Sequence, residues 1–301
     1  MYRGSKTRTQ LDVTAPATIS TIQLFSNPHA GWIARWRVAA LQRSFIAQGV
    51  TVLEGEHGSE ALMIDTRAQH ICCAGGDGTL RHVLAALIRS GRDISVSVYP
   101  TGTVNLVARE CRYSIARAEF VQRVLKGNHP AYHYVGILGD VPMASCASVG
   151  PDSYAVAAVS PALKRVIGRA AYIVAVCEFM IRWPRAKITL KSAEWEKECE
   201  AVYIAKGRYF AGSWSFAPTA SMRSPQFEVI AFQDASRRTF FRFCWSMLRG
   251  LLVAQIPGAE EFRCTELAIA SKVSAPLQSD GDIVGDLPLR LSLRVVPIKF
   301  A

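Results

Sequence analysis

The sequence predicts two units, a doubly wound α/β domain over residues 18–137 and a mostly antiparallel β domain over 138–285. Three observations carry this. Short apolar runs alternate with helix-period segments over the first third of the chain, the pattern of parallel βαβ units. Three of those runs end in polar turns. Past residue 130 the helical period gives way to short runs, some alternating with period two.

In order, Ile19–Ser26 is the first strand, ended by the turn Asn27-Pro28-His29-Ala30-Gly31. Trp32–Ile46 is a helix with Ile33, Trp36, Ala40, Leu41 and Phe45 near one face and Gly49 as its C-cap. Val50–Leu53 is a second strand, and Ser59–Ala68 a short helix capped by Ser59. Then comes Ile71-Cys72-Cys73-Ala74-Gly75-Gly76-Asp77-Gly78-Thr79, an apolar run that breaks into glycines around one carboxylate. Leu80, Val83, Leu84, Leu87 and Ile88 follow with the period of one helix face. After Gly91, Ile94–Tyr99 is another strand, which breaks into Pro100-Thr101-Gly102-Thr103-Val104-Asn105 before a helix from about Leu106.

The glycine turn has a chemical consequence. Residues without Cβ let a backbone approach a ligand closely, and the N–H groups that open a helix favour an anion. Asp77 would repel a phosphate, so it points to a bridging Mg2+ or to proton handling. A plain tight turn with Asp77 or Thr79 as helix cap is the alternative. In doubly wound sheets ligands sit at the carboxyl ends of the strands, so Asn27–Gly31, Gly75–Thr79 and Thr101–Asn105 can converge on one site.

In the second unit Gly139-Asp140 is a hairpin turn. Strands are expected at Lys187–Lys191, Ala201–Ala205, Phe227–Phe232, Phe262–Ala270 and Leu289–Val296. Helical segments interrupt them at about 161–182 and 236–252. The latter mixes Arg237, Arg238, Arg242 and Arg249 with Phe240, Phe241, Phe243, Trp245, Leu248 and Leu251. It reads either as an interfacial helix on an anionic membrane or as a core-packing helix with a solvated basic face.

Of the 301 residues, 35 are Lys or Arg and 24 Asp or Glu, a net charge of +11 that favours an anionic partner. The eight cysteines form no C-x-x-C pair and read as reduced, buried thiols of a cytosolic protein. The six histidines lack ligand spacing, which argues against a His-bound metal. Residues 1–17 lack the apolar core of a signal peptide and read as a disordered tail. No run reaches the roughly 18 apolar residues of a membrane span.

The three turns together resemble the diacylglycerol kinase catalytic-domain family, which includes bacterial lipid kinases, sphingosine kinases and ceramide kinases. The match is carried by Asn27-Pro28-x-x-Gly31, Gly75-Gly76-Asp77-Gly78-Thr79 and Pro100-Thr101-Gly102-Thr103-x-Asn105. Later stretches add to it: Val149-Gly150-x-Asp152, Lys164-Arg165-x-x-Gly168, Ala217-Pro218-x-Ala220 and Asp280-Gly281-Asp282. The resemblance implies a first domain like those of NAD kinases and phosphofructokinases, a C-terminal β-sandwich, and a nucleotide cleft between them. It also implies that residues 286–301 return to the first domain.

The activity implied is ATP-dependent phosphorylation of a lipid hydroxyl. Gly75, Gly76, Asp77, Gly78, Thr79, Thr101, Gly102, Thr103 and Asn105 would handle the ATP phosphates and Mg2+, and Asn27 and Gly31 would line the nucleotide site. Asp280 would be the general base. Asp282 would lie near phosphate and share the metal with Asp77. A lipid substrate at a membrane, anionic phospholipids as partners, and a peripheral position on the cytoplasmic face follow from the same resemblance. A homodimer is left open, and no nucleic-acid motif is present.

The chain departs from the family pattern at four places. Leu106 replaces an Asp, Asp282 a Glu, and Lys206 an Asn. The Asp-x-Gly segment that helps bind a structural Mg2+ in some bacterial members reads Met222-Arg223-Ser224-Pro225-Gln226. Two other readings stay open: an NAD kinase-like enzyme using the same glycine turn, and a non-catalytic nucleotide- or lipid-binding regulator. Asp280-Gly281 alone would also serve as a plain hairpin turn.

Overall fold

The computed structural model describes residues 19–28, 30–55, 62–127, 130–158 and 183–301. The tail expected over 1–17 and the helix expected at 161–182 lie outside them.

The first unit is one six-stranded sheet, in the order β2-β1-β3-β4-β18-β5. Its strands are β1 (Thr21–Ser26), β2 (Thr51–Glu54), β3 (His70–Gly75), β4 (Ser95–Pro100), β5 (Ala131–His133) and the chain-terminal β18 (Ile298–Phe300). All pairings are parallel except β18 with β5. The chain places β2 on one side of β1 and β3 with β4 on the other. The β1–β3 boundary is therefore the topological switch point, where such sheets open a crevice at their carboxyl edge. Ser26 pairs with Ala74 and Gly75 with Pro100, so the three polar turns leave the sheet nearly level.

The helices of this unit are α1 (Trp32–Ala47), α2 (Asp77–Ser90), α3 (Leu106–Glu110) and α4 (Arg117–Lys126). In α2 the predicted stripe is the buried one, with Leu80, Val83, Leu84 and Leu87 in the core under β3 and β1. In α1 only Ala40, Leu41 and Phe45 are buried, whereas Ile33 and Trp36, expected on the same face, are exposed. Periodicity finds the stripe but not the length of it that a neighbour covers.

The helix expected over Ser59–Ala68 is not formed at residues 62–68. The Gln23 side chain on β1 holds that segment extended, donating to Met63 O at 3.0 Å and accepting from Asp65 N at 2.9 Å. Asp65 then folds an Asx turn onto Arg67 N at 2.8 Å. The single helix expected from Leu106 is two, α3 and α4, parted by Arg112 in a left-handed conformation at φ 55°.

The second unit stacks two antiparallel six-stranded sheets as a β-sandwich. One runs β10 (Glu196–Cys199), β9 (Ile188–Lys191), β14 (Glu266–Ser271), β17 (Leu289–Leu293), β6 (Gly136–Leu138) and β7 (Val141–Met143). The other runs β13 (Ala259–Cys264), β12 (Phe227–Phe232), β11 (Ala201–Ala205), β8 (Cys146–Val149), β15 (Pro276–Ser279) and β16 (Asp282–Asp286). Their inner faces form one core, including Val202, Ile204, Phe227, Val229, Leu267, Ile269 and Leu291. The run Phe262–Ala270, expected as one strand, is split at Thr265: β13 pairs in one sheet and β14 in the other. Strands that change sheets at such a corner are common in sandwiches. The return to the first sheet starts later than residue 286, because β17 still pairs with β14 and β6.

Two helices complete the described part, α5 (Pro151–Ala158) and α6 (Arg237–Arg249). The described cysteines form no disulfide. Among the described residues no helix is long and apolar enough to cross a membrane.

Candidate functional site

The site is built where the β3–α2 and β4–α3 turns meet. A methyl group at Gly102 would lie 2.5 Å from Gly76 Cα and 2.9 Å from Gly76 N, so the two backbones touch at a distance that a side chain at Gly102 would not allow. Gly75 serves differently: a methyl there would run into the Thr79 side chain, which folds back over the strand end. Asn105 closes the second turn on itself, accepting from Gly102 N at 2.9 Å and donating to Gly102 O at 2.7 Å. It does so at φ 55°, a left-handed conformation that asparagine tolerates better than most residues. Thr101 N donates to Gly75 O, joining the turns, and Thr103 stands exposed beside Gly102. Gly31 opens α1 in an extended conformation with open space where a Cβ would point, and Asn27 O accepts from Ala30 N.

Asp77, in the first turn of α2, is buried, and both its oxygens are engaged. Leu106 N donates to one at 2.9 Å and Val107 N to the other at 3.0 Å. It therefore caps α3, the helix that follows the neighbouring turn, rather than its own. Burial raises its pKa, those two amides lower it, and the charge of Asp282 raises it further.

Asp282 reaches this site from the second unit. Its Oδ2 would be 2.7 Å from a methyl at Gly78, so that glycine clears space for a carboxylate at the start of α2. Arg81 holds it there, with Nη2 at 3.1 Å from Asp282 Oδ2 and Nη1 at 3.2 Å from Ser279 O. Arg81 is one helical turn beyond Asp77, and that spacing was the signal that could have found it in the sequence.

Asp280 and Gly281 are the two-residue loop between β15 and β16, with φ 51° and 88°. That is a tight hairpin turn, as Asp-Gly favours. Its carboxylate nonetheless points inward, where Ala144 N donates to Oδ2 at 2.8 Å and Ser145 N and Cys146 N donate to Oδ1 at 2.8 and 3.1 Å. Burial pushes the carboxyl up to about 6; the amides oppose this and the charge of Asp77 adds to it.

Gln278 braces the loop, accepting from Gly281 N through Oε1 and donating to Ser148 Oγ at 2.8 Å. Ser148 in turn bonds Asp152 of α5, whose buried carboxyl is also raised to about 6, chiefly by burial. Gln278 and Ser148 carried no sequence signal: Ser148 is one polar residue in an apolar strand, and the strand of Gln278 is only four residues long.

A divalent ion does not fit the loop at 221–226. That loop holds no carboxylate, and three of its carbonyls converge instead on the buried Lys206 Nζ: Ser221 O at 2.9 Å, Ser224 O at 2.5 Å and Gln226 O at 3.3 Å. Burial lowers the Lys206 pKa to about 8, opposed by the charges of Glu228 and Glu110. An ammonium thus closes the loop that stands in place of the Asp-x-Gly segment of some bacterial members. No described cluster of three acidic, histidine or cysteine side chains could hold a metal elsewhere.

Glycine backbones at a helix start are a geometry that suits an anion, and three carboxylates within electrostatic range of one another suit a cation beside it. Residues 21–135 match the model of the diacylglycerol kinase catalytic domain, and residues 145–300 match the YegS C-terminal NAD kinase beta sandwich-like domain. The chain belongs to the family that joins these two domains.

A protein of Pseudomonas syringae pv. syringae (strain B728a) described as "Probable lipid kinase YegS-like" is 31% identical over 164 residues, 54% of this chain and 52% of that one. The matched stretch thus spans about half the length of the curated relatives. A solved structure from Bacillus anthracis str. Sterne superimposes with TM-score 0.74 at 14% identity, covering 96% of this chain and 97% of that chain. Another from the same organism, described as a diacylglycerol kinase, gives TM-score 0.65 at 14% identity over 94% and 96%. At this identity the structural likeness speaks for the fold.

Proposed function

We propose that the protein transfers the γ-phosphate of ATP to a hydroxyl of a lipid acceptor of the diacylglycerol, ceramide or sphingoid type. The acceptor would be met at an anionic membrane surface on the cytoplasmic side. The observation that carries this reading is the backbone contact of Gly76 with Gly102 at the start of α2, with Asp280 buried within electrostatic range of Asp77. Phosphoryl transfer needs positioned backbone donors and charge neutralisation more than covalent chemistry.

In this reading Gly75, Gly76, Gly78, Thr79, Thr101, Gly102, Thr103 and Asn105 bind the phosphates, and the Asn27–Gly31 turn lines the nucleotide site. Mg2+, when bound, neutralises charge on the transferring phosphate. Asp282, with Asp77, would hold it. Asp77 adds its charge at the start of α2, where the amides of Leu106 and Val107 orient it. Asp280 accepts the proton of the acceptor hydroxyl.

The test is transfer of labelled γ-phosphate from ATP to diacylglycerol, monoacylglycerol, ceramide, sphingosine and NAD, with Mg2+. Labelling of one lipid supports the reading. Labelling of NAD alone assigns the chain to NAD kinase chemistry, and ATP binding without labelling leaves the regulator. The phosphate cradle is tested separately with Gly102→Ala. The added methyl has only backbone and Asn105 to displace, so the turns must part. Misplacement on that scale is expected to lower turnover about a hundredfold, with weaker nucleotide binding by calorimetry and an unchanged circular dichroism spectrum. Wild-type nucleotide affinity in Gly102→Ala would remove this pair of turns from the phosphate site.

A further inference from the structure

The α6 helix settles neither of the two sequence readings alone. Its core face is Phe243, Ser246 and Met247, with Phe243 stacked on Tyr203 at 4.2 Å. The opposite face should then be polar. It is not: Phe241 is 68% exposed, Trp245 49% and Leu248 54%. At about 100° per residue, these three form a row straight away from the buried face. The row continues past the Gly250 cap into Leu251 and Leu252, also half exposed. Phe241 and Trp245 stack on each other with centroids 6.4 Å apart.

Charge frames the row. Arg238, Arg242 and Arg249 flank it on one side and Arg237 on the other, all exposed. Arg249 sits over the Trp245 ring at 5.6 Å and Arg237 over Trp183 at 5.3 Å. No Asp or Glu occurs from Ala235 to Ala259. An apolar ridge whose charged neighbours on its own helix are all cations suits a surface that is apolar within and anionic at its rim. A second copy of the chain suits it poorly, since a two-fold contact would set the same arginines against each other.

We propose that the outward face of α6, with Leu251 and Leu252, docks the protein on an anionic phospholipid bilayer. Phe241, Trp245, Leu248, Leu251 and Leu252 enter the acyl boundary while Arg238, Arg242 and Arg249 meet the headgroups. The lipid-kinase reading supplies only the reason for a bilayer to be the occupant; the surface itself is defined by the helix.

The experiment is co-sedimentation of the full chain with phosphatidylcholine vesicles, with and without phosphatidylglycerol, none containing an acceptor lipid. Wild type is expected to bind the anionic vesicles, less as salt rises. Arg238→Glu/Arg242→Glu and Phe241→Ser/Trp245→Ser are each expected to weaken that binding about tenfold or more. Both should keep wild-type melting and wild-type transfer to acceptor lipid in detergent micelles. Variants that sediment like wild type would overturn the proposal. So would a wild-type dimer in analytical ultracentrifugation that Phe241→Ser/Trp245→Ser converts to monomer, which would make this face a self-contact. Vesicle binding that depends on α6 without any lipid phosphorylation would leave the docking surface standing and sink the kinase reading. Phosphorylation with α6-independent binding would do the reverse.

Discussion

Replacing Asp280 with asparagine is expected to lower phosphate transfer about 10²- to 10⁴-fold, the usual worth of a positioned base. The argument starts from a conflict in the turn. A two-residue Asp-Gly loop ordinarily leaves its carboxylate in water, whereas here the carboxylate is buried against the amides of Ala144, Ser145 and Cys146. Burial and the charge of Asp77 place its pKa at about 6, against three amides that favour the charged form. At neutral pH it is therefore ionised, yet more basic than an ordinary aspartate, which suits proton abstraction. As pH falls through about 6 the group takes up its proton, so activity should fall up to tenfold per unit on the acid side. That limb should vanish from what activity Asp280→Asn retains. Nucleotide affinity, measured in parallel, should be kept, which separates loss of the base from loss of the fold. Equal transfer by wild type and variant on any acceptor would sink the assignment.

The parts of the site legible in the sequence are those that the backbone dictates. Gly76, Gly102 and Asn105 are required by a close approach and a left-handed conformation, and such requirements show as residue types at fixed spacing. Arg81 was missed because a charged residue on a helix is ordinarily a solvated one; its partner Asp282 lies 201 residues away. The helix expected at Ser59–Ala68 is not formed over residues 62–68 because a side chain from β1, Gln23, claims the backbone groups of Met63 and Asp65. The exposed Trp36 of α1 and the outward row of α6 share one lesson. Apolar periodicity reports that a face exists, and tertiary structure decides whether protein covers it.

Removing the Lys206 ammonium is expected to cost the fold about 3 kcal/mol or more, because carbonyls of Ser221, Ser224 and Gln226 would be left without a donor. Lys206→Met keeps most of the side-chain volume and deletes the charge, so thermal melting should drop with little change in packing. The effect should not stay local. Met222 in the clamped loop packs into the core of the first unit, and its carbonyl accepts from Tyr134 N at 2.8 Å. Lys206 N itself donates to Ser145 O at 2.7 Å, and Ser145 N is one of the donors that hold Asp280. The cation thus ties the loop that reaches the first unit to a residue whose backbone adjoins the cradle of the proposed base, so loosening that loop in Lys206→Met should also lower kcat at fixed nucleotide affinity. The same geometry makes a metal unnecessary there: in the absence of nucleotide, neither EDTA nor millimolar Mg2+ should move the wild-type melting temperature. A wild-type melting temperature that falls with EDTA and recovers with Mg2+ would show that a divalent ion, not Lys206, closes this loop.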